Sequence, residues 1–206
     1  MKLLRASVLL VGALGLAVRP AHANLISNGS FEFGTFDSAP FDTLGPGNTN
    51  ITGWTVGGDS VDWVGSLWTP EDGRRSVDLS GNSAGSITTT IATVSGQGYD
   101  LSFYLAGNPD GGPTVKTAFV TIGGGGPVPF FFDTTGTSRS NMGWTLENLG
   151  FVATGASTSV TFASGDATPY GPVVDNVAVN AVPEPATLVL LGTGLSAIVR
   201  SRRRRA

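Results

Sequence analysis

The chain has 206 residues, 40% of them apolar and 13% charged, with 30 glycines and no cysteine; a charge content near half the usual ~25% excludes charge-driven disorder, and the missing cysteine excludes a disulfide framework. The formal charge of −3 is an average over unlike parts: three cations in the first 23 residues, five arginines against Glu184 in residues 182–206, and Arg74, Arg75, Lys116 and Arg139 against 14 acids in between, which leaves the body at −10. A body without clustered Lys and Arg excludes nucleic acid as a partner, because phosphate binding needs such clusters.

In chain order, residues 1–23 combine a basic start (Lys2, Arg5), an apolar run from Ala6 to Val18 and the small-x-small triplet Ala21-His22-Ala23. That pattern predicts a secretory signal peptide cut between Ala23 and Asn24, since the apolar run is shorter than the ~20 residues of a membrane span. From Asn24 to Ala181 no segment keeps helical apolar spacing, whereas alternation with period two recurs at Val61/Trp63, Val77/Leu79, Ile87/Thr89/Ile91, Leu101/Phe103/Leu105, Ala118/Val120/Ile122, Val160/Phe162 and Val177/Val179. Turn clusters separate these strands, among them Asn108-Pro109-Asp110-Gly111-Gly112-Pro113 and the run Gly123 to Gly126, expected as a hairpin tip. Many short strands with this punctuation predict a single all-β sandwich or jelly roll over residues 24–181. Residues 182–206 carry Pro183-Glu184-Pro185, an apolar stretch from Ala186 to Val199, expected as a helix, and five terminal arginines, which should remain cytoplasmic while the body lies outside.

The chemistry available to the body is narrow. The single histidine, His22, lies in the leader, so the body has neither His nor Cys. That removes Ser-His-Asp and Cys-His nucleophiles, imidazole bases and the usual zinc ligand sets. No Ser-x-x-Lys precedes Lys116, and the glycine run ends in Pro127 rather than the Lys-Ser/Thr of a phosphate loop. Carboxylate-based glycoside hydrolysis survives this filter, with Glu32, Glu71 and Glu147 as the body glutamates.

Two resemblances sharpen the reading. Pro183-Glu184-Pro185 followed by a short apolar segment and an arginine cluster resembles the PEP-CTERM sorting signal of exported bacterial proteins. The resemblance implies recognition of Pro183, Glu184 and Pro185 by an exosortase-type membrane enzyme, transient anchoring in the inner membrane, and delivery to the cell surface or extracellular matrix. In the body, Asn28-Gly29-Ser30-Phe31-Glu32 at the start and Val174-Asp175-Asn176-Val177-Ala178-Val179 at the end resemble the first and last strands of galactose-binding-like jelly rolls, including carbohydrate-binding modules. With Ile51 to Val56, Ser60 to Val64, Asp72 to Leu79, Ala106 to Pro113 and Ser140 to Trp144, the body is similar to a family of plant cell-wall proteins of unknown biochemical function and its bacterial relatives of the choice-of-anchor C type.

That resemblance implies a structural Ca2+ near Glu32 and Asp175, with Asp78 as a third contributor. The alternative is that Glu32 and Asp175 hydrogen-bond turn backbone. All four tryptophans lie in the body; Trp54 and Trp63 alternate with Val56 and Val61 and face inward, whereas Trp68 beside Thr69-Pro70, Tyr170 between Pro169 and Gly171, and Trp144 after a loop are the candidate sugar-stacking platforms. Arg74 and Arg75 either clamp an acidic sugar or pair with Glu71, Asp72 or Asp78. The sequence thus reads first as a secreted, surface-directed, non-enzymatic module binding extracellular or cell-wall polysaccharide, second as a structural surface protein making protein contacts, and third as a carboxylate glycosidase.

Overall fold

The computed structural model describes residues 24–37 and 39–183. The expected signal segment, the expected apolar helix of residues 186–199 and Glu184-Pro185 fall outside the described residues. Eleven strands form the body: β1 (Phe41–Leu44), β2 (Thr55–Gly58), β3 (Val61–Val64), β4 (Ser76–Asp78), β5 (Gly85–Ala92), β6 (Gly98–Gly107), β7 (Val115–Ile122), β8 (Val128–Asp133), β9 (Thr145–Val152), β10 (Ser157–Ser164) and β11 (Pro172–Ala181). They make a six-stranded sheet ordered β1-β3-β4-β11-β6-β9 and a five-stranded sheet ordered β2-β5-β10-β7-β8. Every neighbouring pair is antiparallel.

The period-two residues supply the interface between the sheets, because alternate side chains of a strand fall on opposite faces. Leu101, Phe103 and Leu105 of β6 are fully buried, and so are Val160 and Phe162 of β10. Phe103 packs edge-on against Phe162 (4.9 Å between ring centroids) and Phe130 (5.1 Å), joining the two layers. Trp54 and Trp63 are buried as expected, and each indole N–H finds a carbonyl, Asn28 O at 3.1 Å and Phe31 O at 3.0 Å. The tetraglycine run caps the β7–β8 hairpin, as the turn chemistry predicts.

Four strands escape the sequence pattern. β1, β8 and β9 are sheet edges and β2 is a four-residue edge strand. In β9, Leu146 and Leu149 fall on opposite faces, and β8 places three phenylalanines in succession, so neither shows clean alternation.

Candidate functional site

The two end motifs meet in space. Val177 N–H donates to Gly29 O at 2.9 Å, and a Cβ on Gly29 would penetrate Val177 O, so no other residue allows the first segment to lie this close to β11. Asn28, Phe31 and Asn176 have φ of 58°, 59° and 47°. Asn28 stabilises its turn by accepting Phe33 N–H at 2.9 Å and donating to Thr52 O at 2.8 Å. Asn24, the first residue of the body, accepts Val179 N–H at 2.9 Å.

Glu32 and Asp175 are indeed neighbours in function: both grip the loop that leads into β4. Glu32 Oε1 accepts Arg74 N–H at 2.6 Å and Arg75 N–H at 2.8 Å. Asp175 Oδ2 accepts Glu71 N–H at 2.9 Å and Asp72 N–H at 3.0 Å, while its Oδ1 accepts Asn176 N–H at 2.7 Å. Burial raises the Asp175 carboxyl to about 7 against the opposing pull of these donors. Asp78 serves a different loop pair: its Oδ1 accepts Ser80 N–H and Gly171 N–H at 2.9 and 3.1 Å, and its Oδ2 accepts Asn108 Nδ2–H at 2.8 Å.

These residues do not fit a calcium ion. Ca2+ requires 6–8 oxygen ligands with lone pairs free to point at it. Here Glu32 Oε1, Asp175 Oδ2 and Asp78 Oδ1 each accept two N–H donors, Asp175 Oδ1 and Asp78 Oδ2 each accept one, and Asp78 serves a different loop pair from the other two. Among the described residues no three His, Cys, Asp or Glu side chains gather in a group able to hold a metal. Glu32 and Asp175 thus act as one backbone clamp and Asp78 as another, the hydrogen-bonding alternative that the sequence leaves open for Glu32 and Asp175.

Above Asp78 the loops at one end of the sandwich converge. Lys116, on β7 and fully buried, donates from Nζ to Gly111 O at 2.6 Å and Tyr170 O at 2.7 Å. Burial lowers its pKa, and the nearby Asp166 and Asp78 carboxyls oppose that shift. The Tyr170 ring rests on Gly111, where a Cβ would collide with it, and stays 36% exposed. One residue before Gly111, Asp110 takes both Nε–H (2.9 Å) and Nη2–H (2.9 Å) of Arg139 in a fork-to-fork pair. Arg139 O accepts Thr69 N–H at 2.9 Å, and Thr69 O accepts the Trp144 indole N–H at 3.1 Å. A chain of contacts thus runs Tyr170, Gly111, Asp110, Arg139, Thr69, Trp144, with an aromatic ring at each end and a charged pair between.

The remaining sequence candidates land elsewhere. Trp68 does lie in a loop but is only 6% exposed, and its indole N–H donates to Ser76 Oγ at 2.9 Å, so it is a core residue and offers no ring face to a sugar. Arg74 is exposed on the loop held by Glu32, not joined to the Tyr170 ridge. Arg75 makes no ion pair among the described residues: its guanidinium lies 4.2 Å from the Phe36 centroid and 4.5 Å from that of Trp63, a cation–π contact with two rings that meet edge-on. The ion pair among the described residues is instead Arg139 with Asp110. Neither residue was singled out from the sequence, although Arg139 stands out as one of the four cations of an acidic body.

Residues 24–180 match the family model described as protein of unknown function, DUF642. The chain belongs to the DUF642 family. Directly after the DUF642 domain, residues 181–205 match the PEP-CTERM protein-sorting motif. Halomucin of Haloquadratum walsbyi is 31% identical over 171 residues, a match covering 79% of this chain and 2% of Halomucin, so the chain spans a small fraction of that relative's length. Among solved structures, the CBM22-1 xylan-binding domain of Paenibacillus barcinonensis Xyn10C aligns with a TM-score of 0.50 at 17% identity, over 80% of this chain and 98% of that one. TmCBM61, solved with β-1,4-galactotriose, aligns at 0.47 and 17% identity over 78% and 99%. The DUF642 domain is therefore an all-β sandwich with the fold of the CBM22-1 domain, followed by a sorting motif.

Proposed function

We propose that the domain is a non-catalytic polysaccharide-binding module carried to the bacterial cell surface by its C-terminal motif, and that the ridge from Tyr170 to Trp144 takes the sugar. The observation that carries this reading is the presentation of Tyr170: an aromatic ring seated on a glycine, its backbone fixed by a buried lysine, next to a bidentate Asp110–Arg139 pair. Sugar rings stack their apolar faces on such rings, while carboxylate and guanidinium groups meet their hydroxyls. The charge of −10 supports a neutral glycan over a uronate-rich one, because like charge repels at long range. The sorting motif supports delivery through an exosortase-type enzyme.

A glycan array of soluble oligosaccharides tests the reading, with Tyr170→Ala and Trp144→Ala as the altered proteins. Tyr170 is exposed, whereas Trp144 is partly buried against the core, so a thermal melt of each variant accompanies the array. Binding by the parent that falls at least tenfold in both variants supports the proposal. A parent that binds no glycan supports protein packing as its surface role, and sugar release during incubation supports hydrolysis.

A further inference from the structure

The outer face of the five-stranded sheet is unlike the rest of the domain. Strand register places Thr55 opposite Thr88, Thr88 opposite Thr161, and Thr161 opposite Thr121, so one row crosses β2, β5, β10 and β7 with a threonine on each. The alternate residues Ile87, Val160, Phe162 and Val120 are buried between the sheets, which fixes these threonines on the outside. Thr88 and Thr161 share a hydroxyl hydrogen bond at 2.8 Å. The row's strand-to-strand step is ~4.8 Å.

Beside this row lies an apolar corner that the core does not use. Phe119 stands opposite Pro129, and Thr117 opposite Phe131. Phe131 is 62% exposed, and the Phe119 ring leans over Gly165, where a Cβ would meet it at 2.8 Å. By strand register, the outward positions of all five strands contain a single charged residue, Asp133 at one corner. In a body of charge −10, the acids have been kept off this face.

We infer that this face is a second docking surface whose partner is the flat, uncharged side of a polysaccharide. The inference rests on the polysaccharide reading above and adds a site distinct from the Tyr170 ridge. Charge complementarity selects the partner: a neutral polymer approaches without desolvating an ion, while an acidic one is repelled by the body. Phe119, Pro129 and Phe131 supply ring-sized apolar area, and the threonine row supplies hydroxyl donors and acceptors at regular spacing, each flanked by a methyl group. A repeating partner exploits a repeating row; a short oligosaccharide fits the ridge and spans little of this face.

Co-sedimentation of the purified protein with insoluble xylan and microcrystalline cellulose, with polygalacturonate coupled to beads in calcium-free buffer as the acidic control, tests the inference. Thr161→Lys puts a charge at the centre of the row, and Phe131→Ser removes the exposed ring; Thr121→Arg stands in if Thr161→Lys does not fold. The expected result is retention on at least one neutral polymer and not on the acidic one, with retention cut at least tenfold by each face variant and preserved in the Tyr170→Ala/Trp144→Ala protein. Face variants that sediment like the parent, while the ridge variant does not, overturn the second site and leave the polysaccharide reading standing. A parent that sediments with no polymer and binds no soluble glycan overturns both.

Discussion

Lys116 Nζ reaches the Tyr170 carbonyl at 2.7 Å, so a fully buried cation sets the position of an exposed aromatic ring. The same ammonium holds Gly111 O, the residue on which that ring rests, and Asp78 holds the next N–H, that of Gly171. Lys116→Met keeps the apolar stem but leaves two carbonyls without a donor. The expected loss is about 3 kcal/mol of unfolding free energy by urea denaturation, at ~1–3 kcal/mol for each unmet buried group. An unchanged urea midpoint would show that water replaces the ammonium without cost.

Protonation should tune the same region. Burial raises the Asp78 carboxyl to about 8 and Asp175 to about 7, so the folded protein holds both protons more tightly than the unfolded chain does. Their contribution is complete below about pH 4 and is lost as the pH climbs to about 8, at no more than ~1.4 kcal/mol per pH unit for each proton. Melting temperature should therefore decline across this range, and Asp78→Asn should flatten the decline while lowering the whole curve. Parallel curves for the two proteins would show that Asp78 stays ionised throughout.

Calcium should not matter to the clamps. With Asp175 and Glu32 already accepting backbone N–H groups, neither millimolar CaCl2 nor EDTA is expected to move the melting temperature. A calcium-dependent rise would mean that these carboxylates release the loop to take up the ion, since a ligand that binds only the folded state must stabilise it.

Gly29→Ala tests the junction of the end motifs. The added methyl meets the backbone of Val177, which lies in the register irregularity of β11 between Asp175 and Ala178 and whose N–H to Gly29 O bond must give way if the segments part. About 3 kcal/mol of destabilisation is expected, at the upper end for overpacking, read as a shift in the thermal transition. A loss below about 0.5 kcal/mol, the usual range for surface substitutions, would show that the first segment can detach from β11 without consequence.

The sandwich was legible because its central strands bury one face and expose the other. Leu101, Phe103 and Leu105 could hardly alternate for any other reason. Edge strands carry weaker instructions: β8 and β9 each lack a neighbour on one side, and Phe131 and Leu146 remain in solvent. The resemblance placed Glu32 and Asp175 near each other, yet a sequence does not say whether a carboxylate will meet a cation or a backbone amide. Trp68 was misplaced for a related reason. Its neighbours Thr69 and Pro70 announce a turn, but Ser76, eight residues on, supplies the acceptor that lets the indole sink into the core. Asp110 and Arg139 lie 29 residues apart, and only the convergence of two loops reveals them as a pair.

The place of β11 governs when this domain can come into being. It is the last strand among the described residues, yet it lies between β4 and β6 in the middle of the six-stranded sheet. Until it arrives, β4 and β6 face each other across a gap, and the first segment has no Val177 or Val179 to hold. Assembly therefore waits for nearly the whole body to emerge, and contacts of such sequence separation form slowly. Folding that is completed only when the end of the body is available is compatible with the proposed export, in which the chain would cross a membrane before it folds.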